Sequence, residues 1–182
     1  MDSNFFALIS RMRYIARWGL MRNALPENIQ EHSHMGAVLA HALGVIRRDI
    51  FHEPCDVNAL ATAALYHDAS EILTGDLPTP IKYHNAEIMS AYHAVEDLAV
   101  QKLLGMLPPE LRATYADVLA EDKNGDIYPL VKAADKLSAY IKCIEERKAG
   151  NNEFLSAEAQ THAALEGSPL PEVQYFLEHF IP

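Results

Sequence analysis

The amino-acid sequence predicts an all-α protein, an orthogonal bundle of helices. Apolar residues recur at helical spacing along nearly the whole chain, and no run shows the alternation of a strand. Of the 182 residues, 49% are apolar, which suffices for one sizeable core. No change of composition, low-complexity tract or internal repeat divides the chain, so we expect a single domain over residues 1–182.

Eight helices follow from the apolar spacing, and we expect them at about residues 5–18, 28–46, 57–73, 86–104, 109–119, 129–148, 153–165 and 171–180. The second begins at the N-cap Asn28, with Glu31 completing a capping box, and it directs Met35, Leu39 and Leu43 to the core.

The third helix is predicted to run from about Val57 to Leu73, with Asp56 as its N-cap and Gly75 as the residue that stops it. The segment Asp76–Pro80 contains two prolines, each of which lacks a backbone donor and restricts the residue before it. We therefore expect a rigid extended loop there.

Charge and composition exclude several classes of protein. The net charge of -10 disfavours nonspecific binding to nucleic acid or to an anionic membrane. Cys55 and Cys143 form no CxxC motif, which fits a reduced compartment. The N-terminal apolar run is interrupted by Arg11 and Arg13, too early for a signal peptide or a membrane span. These features favour a cytoplasmic protein.

The pair His67-Asp68 near the end of an apolar helix is the first indication of a metal site, together with His32 upstream and Asp135 downstream. His32 shares a face with apolar residues, and both aspartates continue apolar stripes, so a cation or several donors must compensate their charge. Taken singly, His32 could be a buried histidine bonded to backbone, and Asp135 could pair with a neighbouring lysine. Together the four residues favour Mn, Co, Fe, Ni or Zn.

Other side chains near these ligands suit phosphate chemistry. Glu71 follows His67 by one helical turn, in the position of a general acid or base. Arg17 offers paired donors that match a phosphate, and Trp18 offers a flat wall for a sugar or base. Asp76 and Thr79 supply an acceptor and a hydroxyl from the proline-containing loop.

This pattern resembles the HD-domain metal-dependent phosphohydrolases, and within them the bacterial 5′-deoxynucleotidase family. The resemblance spans nearly the whole chain, and its most specific motifs are Arg17-Trp18, Glu31-His32-Ser33, Tyr66-His67-Asp68-Ala69-Ser70-Glu71, the run from Thr74 to Pro80, the run from Lys132 to Leu137, and the run from Ala149 to Phe154. From the family we expect a somewhat longer C-terminus than one ending at Pro182.

The resemblance implies an HD-domain helical bundle that hydrolyses deoxyribonucleoside 5′-monophosphates to deoxyribonucleoside and phosphate. It implies a homodimer and one divalent ion, of which Co, Mn and Cu are typical, with Zn and Mg as alternatives. The implied metal ligands are His32, His67, Asp68 and Asp135.

The resemblance also assigns roles to the residues around the ion. Arg17 would orient the phosphate, and Trp18 would lie against the sugar and disfavour a ribose 2′-hydroxyl. Glu71 would be the catalytic acid or base, and Asp76 would accept from the 3′-hydroxyl and assist with protons. The nucleotide pocket would be completed by Leu77, Pro78 and Thr79.

Two alternatives stay open at this point. An HD hydrolase of another nucleotide, such as an alarmone, a cyclic nucleotide or a triphosphate, would need more positive side chains than the evident Arg17. A non-catalytic HD signalling domain would be expected to lack a ligand or the acid/base residue, whereas all these positions are filled.

Overall fold

The computed structural model describes residues 4–82, 84–120 and 125–181, which contain ten α-helices. In chain order these are α1 (Phe5–Ile9), α2 (Ile29–Val45), α3 (Val57–Tyr66), α4 (Glu71–Thr74), α5 (Thr79–Lys82), α6 (Ala86–Gly105), α7 (Pro109–Leu119), α8 (Tyr128–Lys148), α9 (Leu155–Glu166) and α10 (Pro171–Phe180). A 3₁₀ segment, Ser10–Tyr14, extends α1, and a π segment, Ile46–Ile50, extends α2. The prediction of an all-α fold is confirmed, since the described residues include no strand beyond one isolated bridge between Ala16 and Asn28.

Two apolar clusters hold the bundle together. The larger joins α2, α3 and α8 through fully buried residues such as Leu43, Leu60 and Leu137. The smaller joins α1, α6 and α7 and includes Phe5 and Leu103. Close approach of α2 and α3 depends on Gly44, because a Cβ there would lie 3.0 Å from Leu60 Cδ2. No helix in the described part of the chain combines the length and apolar character needed to cross a bilayer.

The N-terminus of α2 is capped as predicted. The side chain of Asn28 accepts from the backbone N–H of Glu31 at 3.1 Å, and the Glu31 carboxylate accepts from the backbone N–H of Asn28 at 3.3 Å. His32, Leu39 and Leu43 are buried on one face. Met35 was predicted to share that face, which is wrong, because 39% of its surface is exposed.

The prediction of one helix from Val57 to Leu73 is also wrong. The helix ends at Tyr66, a tight turn covers 67–70, and α4 follows. The carbonyl of Ala64, which would accept the N–H of Asp68 in a continued helix, accepts instead from Nδ1 of the His67 ring at 2.6 Å. The pair His67-Asp68, predicted to bind a metal ion, therefore lies in a turn between two helices.

The segment after α4 was predicted to be an extended loop. Gly75 ends α4 with a φ of 75°, and residues 75–78 belong to no helix or strand. Thr79 and Pro80, predicted to be extended, instead begin α5. Proline is tolerated there because the first N–H groups of a helix have no helical partner.

Candidate metal centre

Four predicted ligands converge from three parts of the chain: His32 from α2, His67 and Asp68 from the turn before α4, and Asp135 from α8. Donor atoms of His32, His67 and Asp135 all lie within 4.8 Å of one another. Nε2 of His32 lies 3.0 Å from Oδ1 of Asp135, and Nε2 of His67 lies 3.9 Å from the same oxygen.

Asp68 lies at the edge of this cluster. Its Oδ1 is 3.2 Å from Nε2 of His67, and its Oδ2 is 3.5 Å from Nε2 of His32. The same Oδ2 lies 3.5 Å from Nη1 of Arg17, so this carboxylate faces both the histidines and the guanidinium.

A partner at Nδ1 orients each imidazole, on the side of the ring away from the carboxylates. Nδ1–H of His67 donates to the carbonyl of Ala64, which leaves Nε2 directed at the carboxylates. Nδ1 of His32 lies 3.1 Å from the Ser138 hydroxyl, one turn after Asp135 on α8. Such partners fix the ring orientation of metal-binding histidines. Because Ser138 follows Asp135 by three residues on α8, helical spacing alone places the two side chains on the same face of the helix.

The donor set fits a divalent cation. Among the described residues, none forms a hydrogen bond to Nε2 of His67 or to Oδ2 of Asp68, although both atoms are buried. Burial opposes a charge on His67, but the two carboxylates outweigh it and raise its pKa to about 9. Burial opposes a charge on Asp135 too, but its contacts with His32 and His67 hold its pKa well below the usual value. Two imidazoles and two carboxylates in this arrangement are ligands that Zn²⁺, Mn²⁺ and Co²⁺ accept.

Glu71 projects from α4 as a nearly buried carboxyl group, with 6% of its surface exposed. Its Oε2 has no hydrogen-bond partner among the described residues. Burial, followed by the charges of Asp68 and Asp76, raises its pKa to about 10. The group therefore carries a proton at neutral pH, and a cation beside Asp68 would lower the pKa again.

Arg17 and Trp18 are joined by a residue that the sequence analysis missed. One carboxylate oxygen, Oε2 of Glu27, accepts from Arg17 Nε at 3.1 Å and from Trp18 Nε1 at 2.9 Å. The indole also packs on Phe154, with ring centroids 5.1 Å apart. In the sequence Glu27 stands before a helix cap like many acidic residues, so no local signal indicates this role.

The residues predicted to complete the nucleotide pocket lie on the segment between α4 and α5. Asp76 is half-buried, and burial raises its pKa even though the charge of Arg17 lowers it. Leu77 and Pro78 are also half-buried, whereas Thr79 is exposed. The hydroxyl of Tyr92 on α6 donates to the Gly75 carbonyl at 3.3 Å and so connects this segment to the bundle.

The fold is that of the HD-domain phosphohydrolases. One such protein from Listeria innocua superimposes with a TM-score of 0.87 at 24% identity, over 98% of this chain and 87% of that chain. An HD phosphohydrolase of cyanophage S-2L, bound to dA and one catalytic Zn²⁺ ion, superimposes with a TM-score of 0.61 at 24% identity, over 94% of this chain and 91% of that chain.

Sequence similarity is more specific. Residues 4–182 match the YfbR-like 5′-deoxynucleotidases, and the chain belongs to that family. The 5′-deoxynucleotidase YfbR of Shigella boydii is 50% identical over 182 residues, which cover 100% of this chain and 92% of that protein. The 5′-deoxynucleotidase YfbR of Escherichia coli is 49% identical over 182 residues, which again cover 100% of this chain and 92% of that protein. The family and the enzyme class predicted from the sequence are thereby confirmed.

Proposed function

We propose that this protein hydrolyses deoxyribonucleoside 5′-monophosphates to a deoxyribonucleoside and phosphate. The observation that supports this most directly is the cluster of His32, His67 and Asp135, with Asp68 at its edge, in a chain 50% identical to a 5′-deoxynucleotidase. The proposal covers residues 1–182 as a single HD domain.

His32, His67, Asp68 and Asp135 would hold one divalent ion. We favour Co, Mn or Cu, which are typical of the family that the sequence resembles, and the donor set also accepts Zn and Mg. A bound ion would supply Lewis acidity at the phosphate and lower the pKa of a water molecule. The buried donor atoms without hydrogen-bond partners support this assignment.

The protein side chains would bind the substrate and move protons. Arg17, with Nη1 3.5 Å from Asp68, is placed to orient a phosphate beside the cluster and to offset charge on its oxygens. Glu71 would exchange protons with the reacting groups, and Asp76 would assist and accept from the 3′-hydroxyl. Trp18 would lie against the sugar, and Leu77, Pro78 and Thr79 would complete the pocket.

A homodimer and a cytoplasmic location complete the proposal. The dimer rests on the family resemblance, and light scattering of the purified protein tests it against the chain mass of 20.3 kDa. A monomer mass at micromolar concentration would exclude it. Fractionation of cells that express the protein tests the location.

The deciding experiment is phosphate release from dAMP and AMP, measured side by side with chelator-treated protein and added Co²⁺, Mn²⁺, Mg²⁺ or Zn²⁺. We expect metal-dependent release from dAMP and little from AMP. Asp135→Asn should be inactive with every ion, because it replaces the carboxylate that lies close to both histidines. Release from nucleoside triphosphates but not from dAMP would contradict the proposed substrate.

A further inference from the structure

We infer that Glu27 is a positioning residue that fixes Arg17 and Trp18 relative to each other, and that it thereby sets the preference of the site for deoxyribose over ribose. This inference rests on the proposed function. Its basis is a single oxygen, Oε2 of Glu27, which accepts from both side chains. Glu27 and Arg17 each have only 13% of their side-chain surface exposed, so water screens their contact weakly.

The contact with Glu27 leaves Arg17 able to bind an anion. Nε of Arg17 donates to Glu27, and Nη1 faces Asp68. A guanidinium has five N–H donors in a rigid plane, so two anchored positions fix the direction of the remaining donors. Glu27 therefore determines where the guanidinium presents those donors to a phosphate.

The indole of Trp18 is fixed by the same carboxylate. Nε1–H is its only polar group, and it donates to Glu27 at 2.9 Å. One ring contact is supplied by Phe154. The backbone of Trp18 has a φ of 59°, which is unusual for a bulky residue and persists only when surrounding contacts enforce it.

The backbone holds Glu27 opposite Arg17. The N–H of Arg17 donates to the carbonyl of Glu27 at 3.0 Å, and the N–H of Ile29 donates to the carbonyl of Ile15 at 3.0 Å. These bonds join the segment before α2 to the segment after the 3₁₀ turn. The backbone of Glu27 is thus held beside the capped start of α2, and its side chain extends from that fixed point to Arg17 and Trp18.

A phosphate and a sugar are adjacent parts of one nucleotide, and Glu27 sets the spacing between the two groups that would contact them. Without this carboxylate the indole could turn away from the sugar, and a 2′-hydroxyl would meet less steric opposition. The guanidinium would lose a charge-assisted bond at the same time. Turnover of dAMP should fall, and the ratio of dAMP to AMP hydrolysis should fall with it.

The test compares Glu27→Ala and Glu27→Gln with the unaltered protein. For Glu27→Ala we expect the ratio of kcat/KM for dAMP to that for AMP to fall about tenfold, the effect of losing one charge-assisted hydrogen bond. Glu27→Gln keeps an acceptor oxygen and should restore part of the ratio. Glu145→Gln is the matched control. Glu145 is an exposed glutamate that lines the same surface groove as Glu27, and no contact joins it to Arg17 or Trp18 among the described residues, so the ratio should stay unchanged.

Fluorescence gives a readout that does not depend on turnover. Trp18 is the one tryptophan of the chain, so the emission spectrum reports its surroundings alone. We expect Glu27→Ala to shift the emission while the far-ultraviolet circular dichroism stays unchanged. Unaltered emission would show that Glu27 does not position Trp18, and an unaltered dAMP to AMP ratio in a variant that still hydrolyses dAMP would show that Glu27 does not set the preference for deoxyribose. Either result would overturn the inference.

The two proposals can fail separately. If the unaltered protein releases no phosphate from dAMP, the proposed function is wrong, and the emission of Glu27→Ala still tests whether Glu27 positions Trp18. If the unaltered protein prefers dAMP and both Glu27 variants keep that preference, the function stands and the role of Glu27 is wrong.

Discussion

Glu71 illustrates how one buried residue can acquire chemistry that its type does not ordinarily have. In water a glutamate carries no proton at neutral pH, whereas burial beside Asp68 and Asp76 keeps this carboxyl protonated. A divalent ion in the adjacent cluster would offset part of the negative charge and bring the pKa toward the working range of an acid or base. Proton transfer at Glu71 would thus depend on occupation of the metal site.

We predict that Glu71→Gln lowers the rate of dAMP hydrolysis about 1000-fold, within the usual range for loss of a general acid or base. The amide has nearly the same shape and cannot transfer the proton. Metal binding, measured by isothermal titration calorimetry, should be unchanged because Glu71 lies outside the ligand cluster. Glu110→Gln, an exposed change on α7, is the control. A variant that keeps full activity would contradict the assignment.

The sequence is informative about residues whose burial conflicts with their polarity. His32 and Asp135 could be predicted as inward-facing because apolar neighbours at helical spacing determine the face. Glu27 could not, because its partners Arg17 and Trp18 reach it only after the chain has turned back on itself. Contacts of that kind depend on loop geometry, which residue periodicity does not encode.

At the scale of elements, the connection between α3 and α4 shows where local reasoning fails. The apolar pattern runs without interruption through His67, so a continuous helix was expected. The His67 side chain donates a hydrogen bond to the Ala64 carbonyl. The backbone hydrogen bonds that follow span three residues instead of four, from Ala69 N–H to the Tyr66 carbonyl and from Glu71 N–H to the Asp68 carbonyl. A side-chain hydrogen bond thus decides the end of a helix that its propensities would continue.

Another element-scale feature is the attachment of the segment 22–25 to the end of α8. The carboxylate of Glu146 is completely buried and accepts from the backbone N–H groups of Ala24 and Leu25, each at 2.9 Å. It also accepts from Lys142 at 2.5 Å and from Asn151 at 2.7 Å. These bonds outweigh burial and lower the pKa of Glu146 to about 2.

Glu146→Ala should destabilise the protein by about 3 kcal/mol, because it leaves Lys142 buried without its carboxylate. Differential scanning calorimetry should show a fall in Tm of about 10 °C. Glu145→Ala removes an exposed neighbouring carboxylate and should change Tm little.

The pH dependence of this stability follows from the direction of the pKa shift. With a folded-state pKa of about 2, below the ordinary value of 4.5, Glu146 contributes its full stabilisation above pH 4.5 and loses it as the pH falls toward 2. The difference in Tm between Glu146→Ala and the unaltered protein should therefore narrow over that range. A constant difference would show that the carboxylate charge is not the cause.

At the scale of the whole molecule, the candidate ligands belong to the elements that build the larger core. α2, α3 and α8 meet through Leu43, Leu60 and Leu137, and the ligands extend from the same helices and from the turn that follows α3. An ion at this point would link all three helices. Its binding energy would add to the stability of the entire bundle, because the unfolded chain does not bring these donors together.

Metal addition should therefore raise Tm. With Mn²⁺ or Co²⁺ at about 100 times the dissociation constant, the expected gain is about 3 kcal/mol, or about 5–10 °C for a chain of this size. Differential scanning fluorimetry of chelator-treated protein measures the shift. Asp135→Asn should abolish most of it, and an equal shift in that variant would place the ion elsewhere.

The order of the candidate ligands along the chain also bears on biosynthesis. His32, His67 and Asp68 leave the ribosome well before Asp135, which belongs to the long helix α8. A nascent chain that ends before α8 therefore offers an incomplete set of donors. Tight binding of an ion by these residues would require that α8 is synthesised and packed. The ion would then be selected by the folded protein and by the metal supply of the compartment in which it folds.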